Sequence, residues 1–399
     1  MKTRILFVDD EPLTLQGLQR MLRSARGEWD MAFADSGARA LELLDESPFD
    51  IVVSDMLMPG MNGAQLLTRV REHHPATARF VLSGHADRNL VLQSTPCAHQ
   101  YLAKPCSAEH LKARLSCTAR WITSLDNAPA IRHVVSKLDR FPAVPHLYNR
   151  LLEELSNGQA SIESIQEIVS VDIGLSATLL KLVNSAFFGA GRPSSDLHGS
   201  VALIGLDTLR DLALTTNAFS PVEPELFSRC KLESLWNHSR AVAIAARAIA
   251  QVEGADEPTL NAAFVGGLLH DAGRFLLRLH FHSELVQAES QAKCEQTPFW
   301  KSERDHLGAA HQEVGAFLCG LWGLPPEVTE AVAWHHEPGR SGATVFGALT
   351  AVHAANALIR EGSAGSEAGP VSGLDWDHLE SIGLTERIPN WRQATSQES

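Results

Sequence analysis

No stretch of this 399-residue sequence reaches the roughly 18 consecutive apolar residues that a membrane-spanning helix needs, so none is expected. Asp9, Asp10 and Glu11 stand where a secretory leader would require an apolar core, so no leader is expected either. The six cysteines (Cys97, Cys106, Cys117, Cys230, Cys294, Cys319) form no CxxC pair and no zinc spacing. Reduced thiols in a cytoplasmic protein follow from that pattern. Positive charge is short as well: 34 Lys and Arg stand against 47 Asp and Glu, a formal net charge of -13. That balance argues against a nucleic acid as partner.

What is present is ordinary in bulk. Hydrophobic residues make up 44% and charged residues 20%, as in a globular protein of two or three domains. The chain is organised around Phe49-Asp50-Ile51-Val52-Val53-Ser54-Asp55, followed by Pro59, Gly60 and Gly63. The apolar run reads as a strand buried on both faces, which delivers Asp55 to its carboxyl end before the chain breaks into a loop.

Four more short apolar runs fall in the first 120 residues. Ile5 to Val8 ends in Asp9-Asp10-Glu11, and Met31 to Ala34 is a weaker strand. Phe80 to Leu82 ends in Ser83-Gly84, and Gln100 to Ala103 ends in Lys104-Pro105. Helical patterns alternate with them, so a doubly wound α/β fold with a five-stranded parallel sheet is expected. Asp9, Asp10, Asp55, Ser83 and Lys104 would then meet at the rim where such sheets bind ligands. Clustered carboxylates need a cation among them, and an oxygen-only set suits Mg²⁺. Asp55 could attack a phosphoryl group, with Lys104 neutralising its oxygens and Ser83 hydrogen-bonding one of them.

This combination of motifs resembles the receiver domain of two-component response regulators over about residues 1–120, a flavodoxin-like fold. The resemblance implies that Asp55 is the phospho-acceptor and that Asp10 is the main Mg²⁺ ligand, assisted by Asp9. It also implies a ligand role for the backbone carbonyl of Leu57 and a switch pair in Ser83 and Tyr101. A histidine kinase or phosphotransfer protein is the implied donor.

Residues 121–137 read as a short linker. From there to residue 360 period-two alternation all but disappears, and helical patterns follow one another, among them Ile173 to Phe188, Leu197 to Ala218 and Leu260 to Leu279. Gly158, Pro193, Pro221, Gly254 and Pro325 punctuate them. An all-α domain is expected over 138–360. Its polar punctuation is histidine: His238, His270 with Asp271, His311, and His335-His336. Neutral imidazoles with a carboxylate form a transition-metal set.

These residues resemble the HD superfamily of metal-dependent phosphohydrolases, and the domain as a whole looks like its HDOD branch. The motifs are Phe141-Pro142-Ala143-Val144-Pro145, Leu182-Val183-Asn184-Ser185-Ala186-Phe187-Phe188-Gly189 and Leu321-Trp322-Gly323-Leu324-Pro325. Where the HD pattern expects a last metal-binding aspartate the chain has Asn356, and Arg274 replaces the usual lysine. No GYP stretch follows Glu337-Pro338-Gly339. Two readings stay open for the histidines: a degenerate, noncatalytic pocket, or a site for Fe, Mn or Zn with or without hydrolysis.

The reading as a whole is a cytoplasmic response regulator. Its phosphorylatable receiver would control an HDOD output that works by contact with a signalling protein or by ligand binding, and a homodimer is compatible with it. The alternative is a phosphorylation-gated, metal-dependent phosphodiesterase acting on a (cyclic di-)nucleotide. Residues 361–399, opening with Gly, Ser and Ala, are expected to form a flexible tail that docks at most one short helix.

Overall fold

A computed structural model describes residues 2–84, 97–156, 160–185, 193–214, 218–362 and 373–396. The side chain of Ser83, Gly158, the motif residues Ala186 to Gly189 and most of the Gly/Ser/Ala stretch after Glu361 lie outside the described residues.

The amino-terminal part is the expected sheet. Thr3–Val8 (β1), Trp29–Ala34 (β2), Ile51–Asp55 (β3), Ala78–Ser83 (β4) and Gln100–Ala103 (β5) pair in parallel in the order β2-β1-β3-β4-β5. Val8 lies opposite Ser54, Asp55 opposite Leu82 and Ser83 opposite Ala103, so the rim residues leave neighbouring strands at one level. Side chains alternate across the sheet. Leu6, Val8, Val52 and Val81 pack on one face with Ala40, Leu44, Leu66 and Leu67. Ile5, Phe7, Ile51, Val53 and Phe80 pack on the other. The helix Gly63–His73 starts on a capping box, in which Asn62 accepts from the Gln65 N–H and Gln65 accepts from the Asn62 N–H.

The second sheet face is where the two parts of the molecule join. Its core continues through Leu111, Leu115 and Trp121 of the helix Ala108–Thr123 into Phe317, Leu321 and Trp322 of the helical part. The end of the helix His311–Leu321 abuts β5. A helix end leaves its last carbonyls without intrahelical partners, and here the receiver supplies donors for them. Gln100 Nε2 donates to the carbonyls of Gly320 and Leu321 (2.9 and 3.2 Å), and Thr118 Oγ1 to that of Gly320 (3.1 Å). Arg114 donates to the carbonyls of Gly323 and Asn184 (2.7 and 2.8 Å).

The stretch read as a linker is folded. Pro129–Ser136 is a helix that begins on its proline and buries Ile131 and Val135. The Ser136 carbonyl accepts hydrogen bonds from the buried Arg79 and His99 of the sheet part.

From Pro145 onward the described elements are helices and short turns, as the patterns imply. Two long patterns are broken, however. Leu197 to Ala218 splits into Leu197–Ile204 and Leu206–Leu214 at Gly205, whose φ of 79° no helix residue adopts. Leu260 to Leu279 splits into Glu257–Leu269 and Ala272–His280, with His270 and Asp271 at the break. The expectation of a flexible tail is also corrected. Residues 373–396 carry two short helices, Trp376–Ser381 and Ile388–Ser396, held by buried Leu379, Ile388 and Trp391 and by Trp391 Nε1 donating to Glu253. Among the described residues no helix is long and apolar enough to cross a membrane.

Candidate functional site

The acidic rim forms as the strand ends dictate. Asp55 ends β3, almost buried, and Asp9 follows β1, fully buried. Lys104 Nζ donates to Asp9 Oδ2 at 2.8 Å and also contacts Asp55 Oδ1. The remaining carboxylate oxygens are held by backbone: Asp55 Oδ2 accepts from the Leu57 N–H (2.8 Å) and Asp9 Oδ1 from the Glu11 N–H (2.9 Å). Leu57 thus touches Asp55 through its N–H, not its carbonyl. Burial acts to lower the Lys104 pKa, but its bonds to Asp55 and Asp9 outweigh that and hold the ammonium above its usual range.

Asp10 follows Asp9 half-buried, and Tyr101 lies inward on β5, buried among the residues of the first sheet face. Gly63 permits this packing: a Cβ there would stand 2.2 Å from the Asp55 carbonyl oxygen. The donor set fits a hard divalent cation. It consists of oxygens only, and among the described residues the positive group on Asp9 and Asp55 is a flexible lysine that can swing away.

The histidines meet too, at the break between Glu257–Leu269 and Ala272–His280, at the ends of two other helices and on the face of a third. His311 opens its helix, while His335 and His336 follow the helix Pro326–Trp334. His238 comes from the long helix Leu232–Val252. The ring centroids of His270 and His335 are 5.0 Å apart, and those of His311 and His336 5.1 Å. Gly273 allows the approach, since a Cβ there would lie 2.0 Å from the His311 carbonyl oxygen.

Three rings are fixed from behind. The Nδ1–H groups of His270 and His335 donate to the carbonyls of Gly267 (2.7 Å) and Val332 (2.9 Å), and that of His311 donates to Glu303 Oε2. Their Nε2 atoms therefore point inward, those of His270 and His311 to Asp271 at 3.5 and 3.1 Å and that of His335 to His311 Nε2 at 3.4 Å. This back-bonding is the second shell that orients metal-ligating imidazoles. Asp271 is wholly buried; its Oδ1 lies 3.1 Å from His311 Nε2, while its Oδ2 and His270 Nε2 have no hydrogen-bond partner. Orphaned buried groups of this kind call for an ion or a water. The donors present thus fit a borderline transition metal.

The charges are strongly perturbed. Burial would raise the Asp271 pKa, but His270, His311 and Arg274 hold it well below the carboxylate range. Burial pushes His238 down to about 3 and His335 and His336 well below their usual value. For His311 burial is overcome by Glu303 and Asp271, which lift it to about 9.

Two contributors escaped the sequence reading. Glu303 lies in a polar run eight residues before His311, where nothing marks it as buried. Arg360 stands four residues after Asn356, on the same helix face, and its Nη2 lies 3.9 Å from Asp271 Oδ2. Asn356 Oδ1 is 3.0 Å from His238 Nε2. A cleft of about 620 Å³ leads to His335 and His336 past Trp300, Lys301 and Asp375. One of its walls is therefore part of the docked carboxyl-terminal segment.

Comparison with known proteins agrees with this division. The model of the response regulator receiver domain matches residues 5–116, and that of the HDOD domain matches residues 141–338. An uncharacterized protein of Treponema pallidum is 28% identical over 226 residues, which are 56% of this chain and 43% of that protein. The transcriptional regulatory protein TrcR of Mycobacterium tuberculosis is 36% identical over 113 residues, 28% of this chain and 43% of the relative. The chain thus spans less than half the length of these curated relatives. Among solved structures, the signal receiver domain of an HD domain-containing protein from Pseudomonas fluorescens is similar. It shows 30% identity and a TM-score of 0.30, and covers 31% of this chain and 99% of that one. The chain belongs to the response regulators in which a receiver domain is followed by an HDOD domain.

Proposed function

We propose that this protein is a cytoplasmic phosphorylation-controlled switch whose HDOD domain is a noncatalytic output. The observation that carries the reading is the helix His311–Leu321. One end is capped by Gln100, Thr118 and Arg114 of the receiver, and the other end is His311 of the buried cluster. Gln100 immediately precedes Tyr101 on β5.

A carboxylate oxygen of Asp55 forms the new bond to phosphorus as the bond from phosphorus to the donor breaks. The donor is a histidine kinase, a phosphotransfer protein or a small acyl phosphate. Mg²⁺ held by Asp9, Asp10, Asp55 and the Leu57 carbonyl would offset the charge of the incoming group. Lys104 would exchange its carboxylates for phosphoryl oxygens, and Ser83 with Tyr101 would follow the phosphate. A changed position of β5 then favours one placement of the helix His311–Leu321 over another, which is the differential interaction a switch requires. The readout is a signalling protein that binds one of the two arrangements. Asn356 supports a noncatalytic output, since it brings no negative charge to balance a second metal. The six cysteines, with neither a CxxC pair nor a zinc spacing, suit a reducing compartment.

Acetyl phosphate with Mg²⁺ should label the wild-type chain and not Asp55→Asn. Amide exchange along residues 311–321 should then change in the labelled protein only. Equal labelling of the two proteins removes Asp55 from its role, and unchanged exchange removes the helix as the route.

The inward Nε2 atoms and the partnerless His270 Nε2 and Asp271 Oδ2 favour a second reading, in which the cluster holds a transition metal (Fe, Mn or Zn). Bound there, the ion would act as a Lewis acid towards a phosphate ester in the cleft.

A further inference from the structure

The cluster divides into two groups of three ligands, His311 with His335 and His336, and His238 with His270 and Asp271. They differ in what else touches them. Around His311 Nε2 lie Asp271 Oδ1 at 3.1 Å, His336 Nε2 at 3.1 Å and His335 Nε2 at 3.4 Å. The Nδ1–H groups of His311 and His335 are spent on Glu303 and the Val332 carbonyl, so Nε2 is the ring atom each turns to the cluster; on His311 an ion would displace the proton shared with Asp271 Oδ1. Four donors bound tetrahedrally at the usual metal–nitrogen distance of about 2.0–2.1 Å stand roughly 3.3 Å apart. The three distances from His311 Nε2 lie close to that spacing.

The other group is closed. His238 Nε2 is engaged by the Asn356 amide at 3.0 Å, and the amide satisfies it whichever way it is turned. Asp271 Oδ2 faces two guanidinium groups, Arg274 Nη1 at 3.7 Å and Arg360 Nη2 at 3.9 Å. Guanidinium stays charged at every accessible pH, so a divalent ion on that side would be repelled by both. His270 keeps its inward nitrogen, but the group has lost its outer ligand and its negative charge.

We propose that the HDOD domain holds a single transition-metal ion, on Asp271 Oδ1, His311, His335 and His336, and that the position between His238, His270 and Asp271 Oδ2 takes none. The proposal deepens the metal-holding reading above and does not depend on phosphorylation of Asp55. Three imidazoles and one carboxylate suit Zn²⁺, Fe²⁺ or Co²⁺ better than Mg²⁺ or Ca²⁺. Glu303 is a positioning residue: it fixes the His311 tautomer and touches no ion. His336 borders the cleft, so the ion is reached from that side.

The test uses full-length protein stripped with a chelator and titrated with Co²⁺, read by visible absorption. Wild type should saturate at one equivalent. His336→Gln should weaken binding at least tenfold, and Glu303→Gln should weaken it tenfold to a hundredfold while the end point stays at one. His238→Gln should leave both end point and affinity within about twofold. A second equivalent in wild type, no cobalt absorption, or loss of binding in His238→Gln would overturn the proposal. Far-UV circular dichroism shows which variants fold. If His336→Gln does not, Glu303→Gln and His238→Gln decide the matter. Labelling of Asp55 is measured separately, so either result can fail while the other stands.

Discussion

The acidic rim and the histidine cluster solve one problem, gathering charge at a single point, by opposite means. The rim is built on strand ends, lies partly open, and balances its carboxylates with Lys104, a flexible cation one-third exposed. The cluster is built largely on helix ends and lies deep, reached by a cleft at His335 and His336, with Asp271 and His270 wholly buried and two arginines facing Asp271. An open site with a movable counter-ion can exchange Mg²⁺ and phosphate quickly. A deep site whose rings are fixed from behind would exchange an ion more slowly. On the proposed function, the transient chemistry belongs to the receiver and the persistent structure to the HDOD domain.

Both sites depend on a missing Cβ, which gives the harshest way to break the comparison. At Gly273 a Cβ would meet the His311 carbonyl at 2.0 Å and the Gly315 nitrogen at 2.7 Å; at Gly63 it would meet the Asp55 carbonyl at 2.2 Å. All three obstacles are backbone, so rotamer changes cannot relieve them. Gly273→Ala and Gly63→Ala should each cost about 3 kcal/mol or more in denaturant unfolding, at the upper end of overpacking. Gly63→Ala should abolish labelling and spare cobalt binding, and Gly273→Ala the reverse. If either substitution removed both functions while the protein stayed folded, the two sites would not be separable.

Much of this contrast is legible in the sequence, for reasons that differ between the halves. In the receiver each functional residue ends a short apolar run, so alternation of strand and loop places Asp9, Asp55 and Lys104 without knowledge of distant contacts. In the helical half the pattern Leu260 to Leu279 hides the turn at His270-Asp271. Val265, Leu268, Phe275 and Leu276 keep nearly helical spacing across it, and only tertiary packing at Gly273 breaks the run. Glu303 was illegible because its burial depends on a helix from elsewhere. Arg360 could have been found four residues beyond Asn356. The docked tail rests on Leu379, Ile388 and Trp391, which suffice to expect one docked helix but are too widely spaced to mark two.

Removing the movable cation sharpens the contrast next. Lys104→Met leaves Asp9 and Asp55 without their ammonium, so Mg²⁺ no longer competes with it. Mg²⁺ should then support labelling at severalfold lower concentration, while the maximal rate falls about a hundredfold because nothing neutralises the transferred oxygens. Measuring the labelling rate against Mg²⁺ separates the two effects. An unchanged Mg²⁺ midpoint would mean that Lys104 does not guard the rim.

The smallest effect concerns a second lysine that differs from Lys104 as the cluster differs from the rim. Lys181 is buried in the helix Ile173–Val183, with its Nζ on the Asp139 carbonyl at 2.5 Å and 5.0 Å from the centre of the Trp322 ring. Burial, with Arg79 nearby, pushes its pKa from 10.5 down to about 8. Because the folded value lies below the unfolded one, the charged form is penalised in the folded protein below pH 8. The penalty is relieved as pH rises from 8 towards 10.5. A shift of this size corresponds to roughly 3 kcal/mol, offset in a substitution by the lost hydrogen bond and ring contact of about 1 kcal/mol each. Lys181→Met should therefore be about 1 kcal/mol more stable than wild type at pH 7 and lose that advantage by pH 10.5, as read from urea midpoints at both pH values. A variant less stable at pH 7 would show that the ammonium is tied down by more than one carbonyl and one ring. Lys181 would then be a fixture of the joint between the two domains, comparable to Arg274 and Arg360 beside Asp271.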